Sequence, residues 1–261
     1  MKKIIDTHAH LYARHFKDDQ AAVIQRAKDV LEAVYLPNIS LDSVDDMHQL
    51  VDQDPDFFFP MMGLHPSDVK EDFEAVLAKT KTYLDDPAYT YVAIGETGID
   101  LYWPENKDRQ ELQEASLQIQ IDWAKEYKLP IILHARDAID EVADLIEKNL
   151  DSDLKGIFHC WDGSMEQAER VISFGSFKMG IGGNVTYRKS VQALLREFDL
   201  QYVVLETDSP YLVPEPYRKQ KQRRNESSYT TLVAEKIAEL QGKSFDEVAE
   251  ITNANARWVF S

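Results

Sequence analysis

A chain of 261 residues, 44% of them hydrophobic, has the length of one (β/α)8 barrel or of two small domains, with ample apolar sequence for one large core. Its net charge of −17, from 46 acidic and 29 basic residues, argues against non-specific adhesion to nucleic acid or anionic membrane. It does not exclude an enzyme that handles a polyanion locally beside bound cations.

No apolar run nears the ~18 residues a membrane helix needs. The opening MKKIIDTHAHLY is interrupted by Asp6, His8 and His10 and does not read as a signal peptide. A single cysteine, Cys160, allows no intramolecular disulfide, so a reducing compartment, the cytoplasm, is expected.

Short apolar runs alternate with longer amphipathic ones. Strands are predicted over residues 3–8, 33–37, 57–63, 89–95, 130–134, 156–159, 176–181 and 202–206. Their near-continuous apolar interiors (VYLP, YVAIG, IIL, VVL) suit parallel strands covered on both faces. Helices are predicted over 21–31, 71–84, 107–127, 138–150 and 165–174, with two more, 229–241 and 245–260, after the last strand. Eight βα units with polar groups at many strand ends predict a single (β/α)8 TIM-type barrel over 1–261 rather than an open doubly wound sheet.

Those polar groups carry the functional expectation. His8, His10, His65, His134 and His159 each fall at or just beyond the C-terminal end of a predicted strand, as do Glu96, Glu206 and Asp208. Folding alone would leave such groups scattered on helix surfaces. His8 and His10, two apart on an extended segment, point the same way and can share a divalent cation. HxH alone is weak, since a capping and a core histidine would look the same. Its place after the first strand of a barrel, beside a last strand carrying Asp208, shifts the balance to metal.

Glu96 could bridge two cations through its two oxygens, against the plainer reading of a buried glutamate paired with Lys or Arg. His134 and His159, on consecutive strands, make a second cation position plausible, and Arg136 shares His134's side. The nitrogen and oxygen donors suit zinc, manganese or magnesium. Two such ions would acidify water and clamp a phosphodiester, with Asp208 both ligand and base and Glu206 steering the water or orienting a ligand histidine.

Residues 218–224 hold Arg218, Lys219, Lys221, Arg223 and Arg224, a basic stretch leading out of the Asp208 loop. Arg223 and Arg224 are expected to grip phosphates; a solvated loop is the plainer reading. Trp103 and Trp161 are candidates to stack unpaired bases, although most aromatics are core.

The motifs IIDTHAHLY, GLHP, IGETGID, PIILHARDAID, FHCWDGS, LETDSPYL, RRNES and TNANARWVF, in this order, resemble the TatD family of metal-dependent deoxyribonucleases over nearly the whole chain. The resemblance implies an amidohydrolase-type barrel, two divalent metals held by His8, His10, Glu96, His134, His159 and Asp208, and His65 beside the substrate. Three positions depart from the family pattern: Tyr12 stands where Asp or Asn is usual, the segment before LETD lacks its proline, and Ser227 follows RRNE where proline is common.

The expected function is cleavage of DNA phosphodiesters from an accessible end or a frayed strand, with no organic cofactor and no membrane partner. The alternative is an amidohydrolase or esterase on a small amide, lactone or aminoacyl ester, because a barrel does not fix its substrate. A non-catalytic scaffold is disfavoured, since every ligand position is filled.

Overall fold

The computed structural model describes residues 2–220 and 224–261. Eight parallel strands run β1 (Ile4–Asp6), β2 (Leu31–Pro37), β3 (Phe58–Met61), β4 (Ile94–Asp100), β5 (Ile131–Arg136), β6 (Gly156–Phe158), β7 (Phe177–Ile181) and β8 (Val203–Leu205). They pair as two arcs, β1-β2-β3 and β4-β5-β6-β7-β8. Isolated bridges at Ala9–Ser209 and Met62–Ile94 join the arcs, closing a barrel with two thin seams. At one seam Thr7 N–H donates to the Leu205 carbonyl (3.0 Å) and Asp208 N–H to that of His8 (2.8 Å). At the other, Gly95 N–H donates to the Met62 carbonyl (2.9 Å). A side chain on Gly63 would lie 2.7 Å from the Gly95 backbone, so glycine is what allows that approach.

The helices are α1 (Gln20–Val30), α2 (Val44–Val51), α3 (Phe73–Leu84), α4 (Pro104–Lys107), α5 (Gln110–Tyr127), α6 (Ile139–Asn149), α7 (Met165–Ser173), α8 (Lys189–Glu197), α9 (Thr230–Gln241) and α10 (Phe245–Val259). Side-chain alternation divides the apolar strand residues between two cores. Ile4, Val34, Leu36, Ile131 and Leu205 pack against the helices. Ile5, Ala33, Tyr35, Ile132, Ile157 and Val204 form an inner layer with Val259 and Phe260, whose ring stacks on Tyr35 at 3.8 Å and plugs the end away from the histidines. Each fully buried aliphatic chain contributes roughly 1.5–3 kcal/mol.

Two expectations change. The fourth strand, predicted over 89–95, runs Ile94–Asp100, so Glu96 lies within it rather than after it. The apolar run that prompted the prediction has other work: Tyr91 bonds His48 through its hydroxyl (2.7 Å) and Ala93 fills the inner layer. Likewise, Asp208 stands beyond β8 rather than on it, with a left-handed φ of 54°. Helices α2 and α8 were not anticipated; each spans only about two turns and is rich in polar residues.

Candidate metal centre

The site residues lie within strands, as Glu96 and His134 do, or in the segments just beyond them. Beyond β1, His8 and His10 bring their Nε2 atoms 3.2 Å apart. Glu96, three residues into β4, turns Oε2 toward this pair, 3.1 Å from His8 Nε2 and 3.6 Å from His10 Nε2. Asp208 Oδ1 completes the group at 3.7 and 3.4 Å from the same nitrogens. On its other side Glu96 Oε1 lies 2.8 Å from His134 Nδ1, 2.9 Å from His159 Nε2 and 3.4 Å from His65 Nε2. One carboxylate therefore faces two sets of imidazoles, one with each oxygen.

Among the described residues the atoms form three groups able to hold an ion: His8, Glu96 and His159; His8, His10 and Asp208; and His65, Glu96 and His134. Among the described residues no lysine or arginine pairs with Glu96 or Asp208, which removes the plainer reading of a structural ion pair. Burial would raise both carboxyl groups. The facing histidines outweigh it, holding Glu96 well below the ordinary range and Asp208 below it. Burial is likewise overcome at His134 by Asp100 and Glu96, and at His159 by Glu96 and Glu206, so both are pushed up. The cluster thus draws in positive charge, as protons or in their place a divalent cation. The donors fit the implied metal.

Several residues that support these ligands escaped the sequence reading. Asp100 Oδ2 lies 3.2 Å from His134 Nε2, and that contact, opposing burial, pushes Asp100 down to about 2. Its signal was parity: residues 96, 98 and 100 share one face of a strand. Tyr12 backs His10, its hydroxyl 2.8 Å from Nδ1. Buried glutamines of α5 pin two strand-end loops: Gln120 accepts from Leu64 N–H (2.9 Å), next to His65, and Gln113 from Asp100 N–H (2.8 Å). Glutamine on an amphipathic helix gave no hint of this.

Other expected residues are distributed unevenly. A cavity of about 860 Å³ opens over the cluster, and His65, Arg136, Trp103 and Arg218 help line it. Arg136 lies over the Tyr102 ring at 3.6 Å. Glu206 is fully buried behind His159, 3.6 Å from its Nδ1, and accepts from Cys160 N–H at 2.6 Å. It is not among the residues lining the cavity, and His159 stands between it and Glu96.

Arg224 is committed elsewhere. It grips both Asp19 oxygens (2.6 and 2.7 Å) and donates to the His15 carbonyl, which leaves no fork for a phosphate. Arg223 and Lys221 lie outside the described residues. Trp161 is 2% exposed and belongs to the core, whereas Trp103, 48% exposed, stands at the rim.

The chain's sequence matches the family model for TatD-related DNases over residues 5–261. This chain belongs to the TatD-related DNase family. It is 35% identical over 260 residues to YabD of Bacillus subtilis, described as an uncharacterized metal-dependent hydrolase, covering 98% of each chain. To a 3'-5' ssDNA/RNA exonuclease TatD of a Rahnella species it is 30% identical over 257 residues, covering 97% of this chain and 96% of the relative. Its fold superposes on the crystal structure of the TatD homologue YjjV from Escherichia coli with a TM-score of 0.89 at 28% identity, covering 98% and 97% of the two chains. The chain is a TatD-family metal-dependent hydrolase on an α/β TIM barrel, with buried His/Glu/Asp clusters suited to metal.

Proposed function

We propose that this chain is a two-metal phosphodiesterase that removes nucleotides from an accessible end of DNA. The observation that carries the reading is Glu96, whose two oxygens face two separate sets of ligand nitrogens across one cavity. One ion would be held by His8, His10, Asp208 and Glu96, the other by Glu96, His134 and His159, with His65 at its edge. Divalent ions there would supply Lewis acidity, making water a better nucleophile and neutralising charge on a phosphodiester.

The protein's own groups do the rest. Asp208, kept ionised by His10 and His8 against its burial, is placed to accept a proton at its carboxylate. Asp100 and Glu206 orient His134 and His159 from behind. Arg136 and Arg218, both lining the cavity, supply phosphate contacts in a chain of net charge −17. Trp103, half exposed beside Arg136, offers a face for an unpaired base. A single-stranded end suits this rim, and one relative is a 3'-5' exonuclease on single-stranded DNA and RNA. The single cysteine supports a reducing compartment, and we place the enzyme in the cytoplasm; no described helix is long and apolar enough to cross a membrane.

The test is cleavage of end-labelled single- and double-stranded DNA by purified protein with EDTA, magnesium, manganese or zinc, beside Asp208→Asn. Metal-dependent shortening from one end, absent in the variant, is expected. Metal-bound protein that leaves every DNA intact overturns the reading and turns attention to carbonyl esters and amides.

A further inference from the structure

We infer that Tyr12 is a positioning residue that fixes His10 in the tautomer with its proton on Nδ1, leaving Nε2 free to accept at the cation position shared with His8 and Asp208. The inference rests on the proposed ligand set but not on the substrate.

It follows from counting protons along a short chain of contacts. Tyr12 is 6% exposed and its hydroxyl lies 2.5 Å from the Pro37 carbonyl oxygen, at the end of β2. A carbonyl oxygen can only accept, so the one phenolic proton is committed to Pro37. At 2.8 Å from that hydroxyl stands His10 Nδ1. With no proton left to give, the phenol oxygen can only accept, and the bond exists only if Nδ1 carries hydrogen. A neutral imidazole protonated at Nδ1 presents its lone pair at Nε2, the atom that faces His8, Glu96 and Asp208.

The four histidines of the two proposed ion positions are backed differently. His134 has the Asp100 carboxylate at 3.2 Å behind it, and His159 has Glu206 at 3.6 Å. Among the described residues, neither His8 Nδ1 nor His159 Nδ1 has a hydrogen-bond partner, the Glu206 contact being too long for one. His10 alone is set by a neutral relay, and Pro37, which has no N–H of its own, anchors that relay through its carbonyl. A phenol fixes orientation as a carboxylate does, but it donates no negative charge to the ring. Tyr12 therefore sets geometry at this position without adding the electrostatic pull that Asp100 exerts on His134.

A purely structural tyrosine would tie β2 to the loop after β1 without governing His10. Long-range ¹H–¹⁵N correlation spectra of the metal-free protein, at a pH where His10 is neutral and with His10→Gln to assign its signals, separate the two roles. Wild type is expected to show the Nδ1–H form of His10, and Tyr12→Phe a mixture or the Nε2–H form. In zinc titrations against a chromophoric chelator, Tyr12→Phe should weaken one bound equivalent by roughly 10–100-fold and leave the other in place.

An Nε2–H form in the wild type overturns the inference, and that spectrum decides even if Tyr12→Phe does not fold. A folded Tyr12→Phe protein with unchanged tautomer and affinities overturns it as well. Wild type that shows the Nδ1–H form but takes up no metal would instead overturn the ligand set proposed above.

Discussion

The two arcs of the barrel contribute unequally to one site. From the three-strand arc β1–β3 come neutral or basic groups, His8, His10 and His65, supported by Tyr12 and by Asn38, whose amide donates to the Gly63 carbonyl at 2.9 Å. From the five-strand arc β4–β8 come the carboxylates that face the histidines, Glu96, Asp100, Glu206 and Asp208, along with His134 and His159. The first proposed cation position, His8 and His10 with Glu96 and Asp208, draws on both arcs, whereas the second, Glu96 with His134 and His159, lies within the five-strand arc and only His65 reaches it from the other. The first position is thus a property of closure, and the second belongs to the five-strand arc.

The largest blow to this arrangement is Glu96→Gln, which takes the shared charge from both positions. Metal content should fall at both sites and turnover by roughly 10³-fold or more, with the fold retained by circular dichroism. If one full equivalent of metal survived, Glu96 would not be shared. Next is removal of the metal itself. An ion that binds only the folded state at a hundred times its Kd adds about 2.7 kcal/mol, so chelation should lower the melting temperature by about 5–10 °C. An unchanged Tm after EDTA would show that the seams hold without the ion.

Asp100→Asn distinguishes the arcs. It should weaken the metal bound near His134 by roughly 10–100-fold and spare the position of His8 and His10; equal loss at both would contradict the division of ligands.

Asp6 gives a pH signature at the β1–β8 seam. Burial, chiefly, raises its carboxyl to about 7 from an ordinary 3.8, although Thr207 donates to it from Oγ1 at 2.7 Å. The folded state therefore keeps a proton that the unfolded chain releases. Stability from this group is complete below about pH 4, declines as pH rises from there, and is lost above about 7. Asp6→Asn in metal-free protein should remove that decline, on the order of a few kcal/mol between the two limits. Parallel denaturant curves for variant and wild type across the window would show Asp6 to be ionised throughout.

The smallest effects belong to the rim. Arg136→Ala and Arg218→Ala should raise KM for DNA and each lower the salt slope by about one. Arg224→Ala should leave KM alone and cost about 1 kcal/mol of stability through Asp19.

Much of this was legible before any coordinates. Parallel strands buried on both faces betray themselves as apolar runs, and histidines at their ends are conspicuous because nothing in folding requires them. Boundaries failed where buried polar residues continue a strand, as with Glu96 and Asp100 inside β4, since polarity there looks like a loop until partners are seen. Supporting residues were harder. Gln113, Gln120 and Tyr12 act over chain separations or through hydrogen-bond direction, neither of which a periodicity records. Within the basic stretch, charge composition does not separate Arg218, which lines the cavity, from Arg224, which faces Asp19.

The seam between β1 and β8 also orders events in time. Thr7 and Leu205, bonded across it, are 198 residues apart in the chain. Loops of that length close late, after local βα pairings have formed. His8 and His10 meet Asp208 only at that step, so a growing chain or a partly refolded barrel holds these three without assembling them. Recovery of activity should trail recovery of helix content, because an unfinished molecule lacks the complete metal centre.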